Sequence, residues 1–256
     1  MAKLIAVVSQ KGGVGKTTTA VNLTASLAAL EKRSLVIGLD PQCGVAVSFG
    51  LDRKDMNFGI FDVLLNDASI LDVIIHTEIK FLDLILSNVN TSKDEERLWD
   101  VVREDKFLLK KKLAELDKFY DYIILDCPPS LGPLIVSSMI AASSILVPVQ
   151  GEYYSKESLG SLLKTAVEVA NKYNQPLYIE GILLTMVDSR TNLGRKITQD
   201  IKNTMGDKVF ATIIPRTVKL AEAPVLNKPI ILSDINSRGA QAYLSLALEI
   251  VKNTTK

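Results

Sequence analysis

The residues with the clearest chemical meaning form a glycine-rich loop, SQKGGVGKTT at positions 9–18. The loop follows an apolar run at 4–8 and precedes a helical pattern, which is the strand–loop–helix context of a phosphate-binding P-loop. Glycines let the backbone fold closely around phosphate oxygens, and the helix start adds the positive end of its dipole. We expect Lys16 to reach the β- and γ-phosphates and the Thr17 hydroxyl to bind Mg²⁺. The predicted phosphate-binding residues are Gly12, Gly13, Val14, Gly15, Lys16, Thr17 and Thr18.

The loop also departs from the usual G-x-x-x-x-G-K-[ST] spacing, because Gln10 stands at its first position, and it carries an additional cation, Lys11. The run KGGVGKTT resembles the deviant Walker A motif of the ParA/MinD superfamily of ATPases. This resemblance implies ATP and Mg²⁺ as cofactors, and a Lys11 that reaches across a dimer interface to phosphates held by the other subunit. A cation supplied in trans would act like an arginine finger in phosphoryl transfer. The alternative for Lys11 is a solvated loop residue.

Two acidic motifs continue the resemblance. LDPQ at 39–42 is similar to the family's second acidic motif, in which Asp40 takes the place of the water-positioning catalytic aspartate. YIILDCPPS at 122–130 resembles the Walker B segment, with Asp126 at the end of an apolar strand near the metal. A carboxylate beside phosphates can orient an attacking water or hold the hydration shell of Mg²⁺. The implied catalytic residues are Lys11, Lys16 and Asp40, and the implied metal residues are Thr17, Asp40 and Asp126.

Later segments resemble the chromosomal, Soj-like branch of the ParA proteins. VPVQGEYY at 147–154 is similar to the segment whose glutamate, here Glu152, approaches the ribose held by the other subunit. TMVDSRTNLGR at 185–195 and IPRTVK at 214–219 follow in the same order and spacing, and they place Met186, Asp188 and Pro215 near the nucleotide base. The resemblance implies an ATP-dependent homodimer with slow hydrolysis, stimulated by a ParB-like partner and DNA. The expected role is partition of a chromosome, a plasmid or another cargo.

The sequence departs from the family pattern beside the second acidic motif. Gly38 stands at the first acidic position of the usual Asp-x-Asp-Pro-Gln, so one carboxylate expected near Mg²⁺ is missing. After Gln42 the family continues Gly-Asn-Ala-Thr, whereas this chain has CGVA at 43–46. Loss of a group that supports a metal site commonly costs about 10–100-fold in metal affinity or activity. An orphan ParA-like protein that positions a protein complex, with weak or no hydrolysis, is therefore an open alternative.

Charge along the chain is uneven, although the net charge is only +1. Residues 185–256 carry 11 Lys and Arg against 6 Asp and Glu, and the rest of the chain has a net charge of −4. In ParA relatives, arginines of the DSR-TNL and PR-xxK segments contribute to non-specific DNA binding, which depends on phosphate contacts. The predicted DNA-binding residues are Arg190, Arg195, Arg216 and Lys219. The alternative is that they pair with neighbouring acids or remain solvated.

Two further classes of function share this fold and remain open. A MinD-like protein would use a C-terminal amphipathic helix at a membrane, but residues 238–252 carry few cations and read better as a helix packed on the sheet. An electron-transfer ATPase such as the nitrogenase iron protein would need cysteines that bridge a cluster. Cys43 and Cys127 do not resemble the ligands of that family. A purely structural binding module is favoured only by Gly38.

The elements that must position these residues alternate between short apolar runs and longer helical patterns. This alternation predicts an α/β fold, a doubly wound, mostly parallel sheet with helices on both faces, formed by a single domain over 1–256. The segment 57–92 is less regular and is expected to elaborate one edge. The predicted strands are 4–8, 35–39, 82–86, 122–125, 144–149, 178–184 and 209–214. The predicted helices are 16–30, 93–116, 133–142, 156–173, 193–205 and 238–252.

The remaining features favour a reducing, cytoplasmic setting with association to the nucleoid and no membrane partner. The chain has two cysteines without metal-ligand spacing and one histidine, His76, which reads as a structural or surface residue. The N-terminus has no signal-peptide pattern, and no apolar run approaches the roughly 18–20 residues that span a bilayer.

Overall fold

The computed structural model describes residues 1–52, 58–89, 91–151 and 156–254, which form an eight-stranded sheet flanked by helices. The strand order is β3-β4-β2-β5-β1-β6-β7-β8, and every described neighbouring pair except β3–β4 is parallel. The predicted doubly wound fold is confirmed. The strands are β1 Lys3–Val7, β2 Ser34–Gly38, β3 Ile75–His76, β4 Leu82–Ile85, β5 Tyr122–Asp126, β6 Ser144–Gln150, β7 Tyr178–Val187 and β8 Val209–Pro215.

Helices cover both faces of this sheet. On one face lie α1 Lys16–Ala29, α2 Gly44–Ser48, α10 Ile230–Ser233 and α11 Arg238–Thr254. On the other face lie α3 Ile60–Leu65, α4 Ser92–Glu104, α5 Leu108–Leu113, α6 Pro133–Ala141 and α7 Lys156–Lys172, with α8 Asn192–Met205 also contributing Ile201 to that core. The short helix α9, Val218–Glu222, follows β8.

The central strand shows why both faces must be covered. Successive side chains of a strand point to opposite faces. Ile5 and Val7 of β1 therefore pack in the core with α1 and α11, whereas Ala6 packs in the core with α3 to α7. All three are fully buried. A continuously apolar strand of this kind is stable only between two helical layers, as the sequence predicted.

One helix prediction was wrong, because the pattern at 93–116 is divided into α4, α5 and a 3₁₀ turn, Ala114–Lys118. The break lies at Asp105, whose backbone is extended and whose carboxylate accepts a hydrogen bond from the N–H of Phe107 at 3.0 Å. An aspartate side chain that binds nearby backbone groups competes with the helix. The apolar periodicity continues across the break, because Leu98, Val102, Leu109 and Leu113 all reach the same core.

The two outer strands of the sheet have different surroundings. The segment 57–92 does elaborate one edge: it adds β3, which pairs antiparallel with β4 and was not predicted as a strand. His76 of β3 is exposed and contacts Asp83, in agreement with a surface role. At the other edge, the Glu249 carboxylate accepts the N–H groups of Ala211 and Thr212 in β8 at 2.8 and 3.1 Å. Glu249 belongs to α11, so this helix protects an edge strand while packing on the sheet.

Every predicted site segment in the described ranges lies at the carboxyl edge of the parallel strands. The P-loop follows β1, Asp40 follows β2 and Asp126 ends β5. Asp188 and Pro215 lie at the corresponding ends of β7 and β8. In open α/β sheets, ligands bind at this edge, at the point beside the first strand where the strand order changes direction.

Candidate nucleotide-binding site

The glycine loop has the backbone conformation that a phosphate cradle requires. Gly13 and Gly15 have φ angles of +74° and +90°, a left-handed region that residues with a Cβ rarely adopt. Gly15 is the N-cap of α1, and within the described residues no side chain caps this helix. The first amides of α1 are therefore available to an anion, where the helix dipole also favours negative charge.

Lys16 lies inside the loop, whereas Lys11 lies on its surface. Lys16 is only 7% exposed, and its Nζ donates a hydrogen bond to the backbone carbonyl of Lys11 at 3.1 Å. Burial lowers the pKa of Lys16, and the nearby charges of Asp126 and Asp40 oppose that shift. The ammonium group is thus already desolvated at the position where phosphate oxygens would approach it.

Thr17 and Asp126 form the second polar pair of the site. The Thr17 hydroxyl donates to Asp126 Oδ2 at 2.8 Å, and the Asp126 side chain is completely buried. Burial, as the main cause, raises the pKa of Asp126 to about 7, and the negative charge of Asp40 adds to this effect. Oδ1 of Asp126 has no hydrogen-bond partner in the described part of the chain.

These oxygens fit a magnesium ion. Mg²⁺ takes few ligands from protein and the remainder from phosphate and water, so a threonine hydroxyl beside an unsatisfied carboxylate oxygen is a suitable donor set. Within the described ranges no group of three or more His, Cys, Asp or Glu side chains is arranged to hold a metal. The predicted metal residues Thr17 and Asp126 do lie together. Together they offer two oxygen ligands for Mg²⁺, and oxygens of phosphate and water would have to supply the others.

The third predicted metal residue, Asp40, occupies the turn after β2. Its Oδ1 accepts the N–H of Gln42 at 2.9 Å, which fixes the carboxylate in this turn. Asp40 is half-buried and lies close enough to influence the pKa values of both Lys16 and Asp126. The structure therefore brings all of the predicted phosphate and metal residues into one place.

A cavity of about 550 Å³ opens beside the P-loop and has the size of a nucleoside pocket. The residues predicted near the base, Met186, Asp188 and Pro215, all line it together with Gly15 and Thr18. Met186 has a φ of +53°, at an irregularity in the pairing of β7 with β8. Strained backbone of this kind occurs preferentially where a side chain is held for binding. Glu152, predicted near a ribose, lies outside the described residues.

Two supporting contacts of the site join residues that are far apart in the chain. Tyr243 of α11 lines the cavity, and its buried hydroxyl is 3.2 Å from the hydroxyl of Thr19 in α1. Thr185 donates to the backbone carbonyl of Val14 at 2.8 Å and so ties β7 to the P-loop. These contacts join residues 224 and 171 positions apart, which spacing along the chain cannot reveal.

The predicted DNA-binding residues are all exposed, but they do not share one environment. Arg190 and Arg216 line the 550 Å³ cavity beside the P-loop, which we call the base cavity after the residues predicted near the base. Lys219 lies on α9. Arg190 donates two side-chain hydrogen bonds to Asp188, at 2.9 and 2.7 Å, so the acid-pairing alternative holds for this residue. Arg195 lines a second cavity of about 680 Å³ between α8 and α11, where Arg238 is also present.

The cysteines and the C-terminal helix argue against two of the alternatives. Cys43 and Cys127 are both buried, and burial raises the pKa of the Cys127 thiol to about 12, opposite to what a cluster ligand requires. One face of α11, which includes Tyr243, Leu246 and Ile250, is buried in the core. Across the described ranges no helix combines the length and apolar character needed to cross a membrane.

Fold and site together define a class: a P-loop nucleotide-binding protein of the deviant Walker A type. Residues 2–179 match the family described as an AAA domain. The sporulation initiation inhibitor protein Soj from Bacillus subtilis (strain 168) is 45% identical over 253 residues, covering 99% of this chain and 100% of Soj. The chromosome partitioning protein ParA from Myxococcus xanthus (strain DK1622) is 42% identical over 255 residues, covering 99% of this chain and 89% of ParA. The chain belongs to the Soj/ParA family of the ParA/MinD superfamily.

A solved structure agrees with the fold class. Cobyrinic acid a,c-diamide synthase from Mycobacterium smegmatis, solved with bound ADP and magnesium, superimposes with a TM-score of 0.86 at 31% sequence identity. The match covers 100% of this chain and 96% of that one. The resemblance predicted from the motifs is confirmed over the full length of the chain.

Proposed function

We propose that this chain is an Mg²⁺-dependent ATPase that dimerises with ATP, binds DNA without sequence preference and partitions a cargo together with a ParB-like partner. One observation carries the ATPase assignment: Lys16, the Thr17–Asp126 pair and a nucleoside-sized cavity converge on the start of α1. The family relatives named ParA and Soj support the partition role. Strands from β1 to β8 form one sheet, which supports a single P-loop ATPase domain over 1–256.

Each residue of the site has a distinct role in phosphoryl transfer. The amides of the loop and of α1 bind the phosphates, and Lys16 places a buried cation against them. Thr17 and Asp126 hold Mg²⁺, which when bound neutralises charge on the phosphate oxygens. Asp40, held by the Gln42 amide, orients the attacking water. Met186, Asp188 and Pro215 contact the base, and Glu152 approaches the ribose held by the other subunit.

Lys11 supplies the link to dimerisation. It is exposed on the loop whose interior holds Lys16, so its ammonium group can reach a second protomer placed against the same edge. A cation delivered across the interface stabilises the charge of the transition state and makes hydrolysis depend on the dimer.

The first test is assembly. With ATP and Mg²⁺ the wild type should form a dimer, whereas Lys11→Ala should still bind ATP but dimerise at least about tenfold more weakly, because it lacks the cation that reaches the partner's nucleotide. Light scattering at several protein concentrations measures this, with Lys208→Ala, an exposed lysine in the turn after α8, as the control. A wild type that stays monomeric at every concentration would contradict the proposal.

The second test is turnover. Asp40→Ala should retain ATP binding but lose hydrolysis by about 100-fold or more, because the water is no longer oriented. Asp40→Asn is the matched variant, since its amide oxygen can still accept the Gln42 N–H and preserve the turn. Both variants should be equally slow in a phosphate-release assay. Turnover equal to that of the wild type in either one would remove Asp40 from the mechanism.

The DNA-binding surface is assigned to Arg190, Arg195, Arg216 and Lys219, which are exposed near the base cavity and on α8 and α9. Their position beside the nucleotide allows the nucleotide state to affect DNA binding, and this binding would hold the ATP dimer on the nucleoid.

The competing proposal, an orphan positioning ATPase with weak or no hydrolysis, is favoured by Gly38. A MinD-like membrane role is disfavoured by the buried apolar face of α11.

A further inference from the structure

Strand β2 ends without a side chain at the point where it runs beside the carboxylate of Asp126. Gly38 is level with Asp126 in the parallel pairing of β2 with β5, so a side chain at 38 would point to the same face of the sheet. A Cβ on residue 38 would lie 3.4 Å from both Cβ and Cγ2 of Val45 and 3.6 Å from the backbone nitrogen of Ser87. An alanine would just fit here. Val45 limits the room for any longer side chain.

Val45 cannot easily move away, because the loop that carries it is fixed on both sides. Cys43 has a left-handed backbone, with φ of +55°, and its thiol contacts the carbonyl oxygens of Ser87 and Pro41 at 3.2 and 3.4 Å. Gly44 packs so closely that a Cβ there would lie 2.8 Å from Cγ2 of Thr17. The loop is thus held against the metal-binding threonine, and Val45 itself is 1% exposed.

The surroundings of Gly38 are polar in spite of the valine. Oδ1 of Asp126, the residue level with Gly38 in β5, lacks a hydrogen-bond partner among the described residues, and so does Oγ of Ser87, whose backbone nitrogen lies 3.6 Å from the Cβ position at 38. Buried polar atoms are almost always paired, so these two oxygens mark polar surroundings that the proposed Mg²⁺, ordered water or a polar side chain would satisfy. Val45 supplies volume there but no hydrogen bond.

We propose that Val45 fills the space of an acidic side chain at position 38, so that positions 38 and 45 can change only together. The inference rests on the proposed Mg²⁺ site at Thr17 and Asp126. Its consequence is that the surroundings of Mg²⁺ carry one negative charge fewer than an acid at 38 would give. The chain therefore binds Mg²⁺ more weakly than a variant that has both an acid at 38 and room for its side chain. Gly38→Asp alone does not strengthen Mg²⁺ binding, because Val45 leaves its carboxylate no room.

The test is a set of four variants, Gly38→Asp, Val45→Ala, Gly38→Asp/Val45→Ala and Gly38→Asn/Val45→Ala. Thermal unfolding without nucleotide measures packing. Each single variant should lower Tm by about 4–10 °C, the first by overpacking and the second by a cavity. The Asp/Ala double variant should recover more than half of the summed loss of its two single variants, since residues in contact are not additive. The Asn/Ala double variant, which has the same volume without the charge, should recover at least as much.

Mg²⁺ binding distinguishes the effect of the charge at position 38 from the effect of side-chain volume. The Mg²⁺ concentration that half-saturates ATP binding should fall about tenfold in the Asp/Ala double variant and stay within threefold of wild type in the Asn/Ala variant and in both single variants. Strictly additive Tm losses, or tighter Mg²⁺ binding by Gly38→Asp alone, would overturn the inference. A wild type that binds no Mg-ATP would instead overturn the proposed function, and the additivity of the Tm values would still test the packing pair.

Discussion

Lys16→Met is expected to weaken ATP binding by at least about 100-fold. The Lys16 ammonium group is buried inside the P-loop, and a charge-assisted hydrogen bond contributes about 1.5–3 kcal/mol, with two such bonds to phosphate lost together. Methionine has a similar length, so the variant removes the charge without leaving a large cavity. Isothermal titration of ATP in the presence of Mg²⁺ measures the change directly.

The same variant should not destabilise the protein without nucleotide. Burial lowers the pKa of Lys16, which means that the folded protein holds this cation at a net cost. The charges of Asp126 and Asp40 reduce this cost, and a bound anion would offset it further. We therefore expect the Tm of Lys16→Met without ligand to equal or exceed that of the wild type. The rise in Tm on adding saturating ATP, roughly 5–10 °C for the wild type, should be absent.

The control for this experiment is Lys208→Met, which removes an exposed lysine in the turn after α8. It should bind ATP with the wild-type Kd. If Lys16→Met also keeps its Kd within threefold, the glycine loop is not the phosphate site and the ATPase proposal fails with it. A loss of binding accompanied by a lower Tm without ligand would point to damage in the fold and not to a lost phosphate contact.

The parts of the site that the sequence predicts are those with a local physical cause. The P-loop needs left-handed glycines directly before a helix, and Gly13 and Gly15 supply them within a few residues of Lys16. Asp40 and Asp126 each follow an apolar strand, and parallel strands bring their carboxyl ends to one edge. Strand and helix types were predictable for the same reason: continuous apolar runs and helical periodicity extend over neighbouring residues.

The parts that the sequence did not predict depend on contacts between distant residues or on competition at single positions. The interruption after α4 arises because Asp105 binds a backbone amide, while the apolar pattern continues past it. Tyr243 supports Thr19 from the last helix, and no spacing rule connects the two. Gly38 could be recognised as a departure from the family motif in the sequence. Its close approach to Val45, which limits the room for a side chain at 38, is visible only in the packing of the loop. The pairing of Arg190 with Asp188 was one of two open alternatives that only geometry could separate.

That pairing also decides which cations give the sharper test of DNA binding. Arg190 binds both oxygens of Asp188 through its side chain, so reversing its charge would break this ion pair as well as change the surface. Arg195 is exposed on α8, where its guanidinium donates to the neutral side chain of Asn192 at 2.6 Å. Arg216 is exposed at the end of β8. Replacing both with glutamate changes the charge of a dimer by eight.

Arg195→Glu/Arg216→Glu is expected to weaken duplex binding by the ATP dimer at least about 1,000-fold near 0.1 M salt, for all sequences alike. Each phosphate contact contributes a slope of about −0.9 to the log–log dependence of affinity on salt, which at this salt corresponds to nearly tenfold in affinity. A dimer would lose up to four contacts and gain repulsion. Its salt slope should therefore become shallower by about 3–4. Because Arg216 also lines the base cavity, ATP binding is titrated in parallel, and we expect it to be retained.

The matched control is Lys93→Glu/Lys110→Glu, which makes the same change in net charge on exposed residues of α4 and α5. If net charge alone governed DNA binding, both double variants would bind equally weakly. If the assigned surface is correct, the control should lose less than about tenfold, because the distant charges are screened within about 10 Å at 0.1 M salt. The titrations are made with ATP, with ADP and without nucleotide, since the ATP dimer doubles the number of phosphates contacted. Equal affinity in all three states, or wild-type affinity of the Arg195/Arg216 double variant, would reduce these cations to a solvated surface.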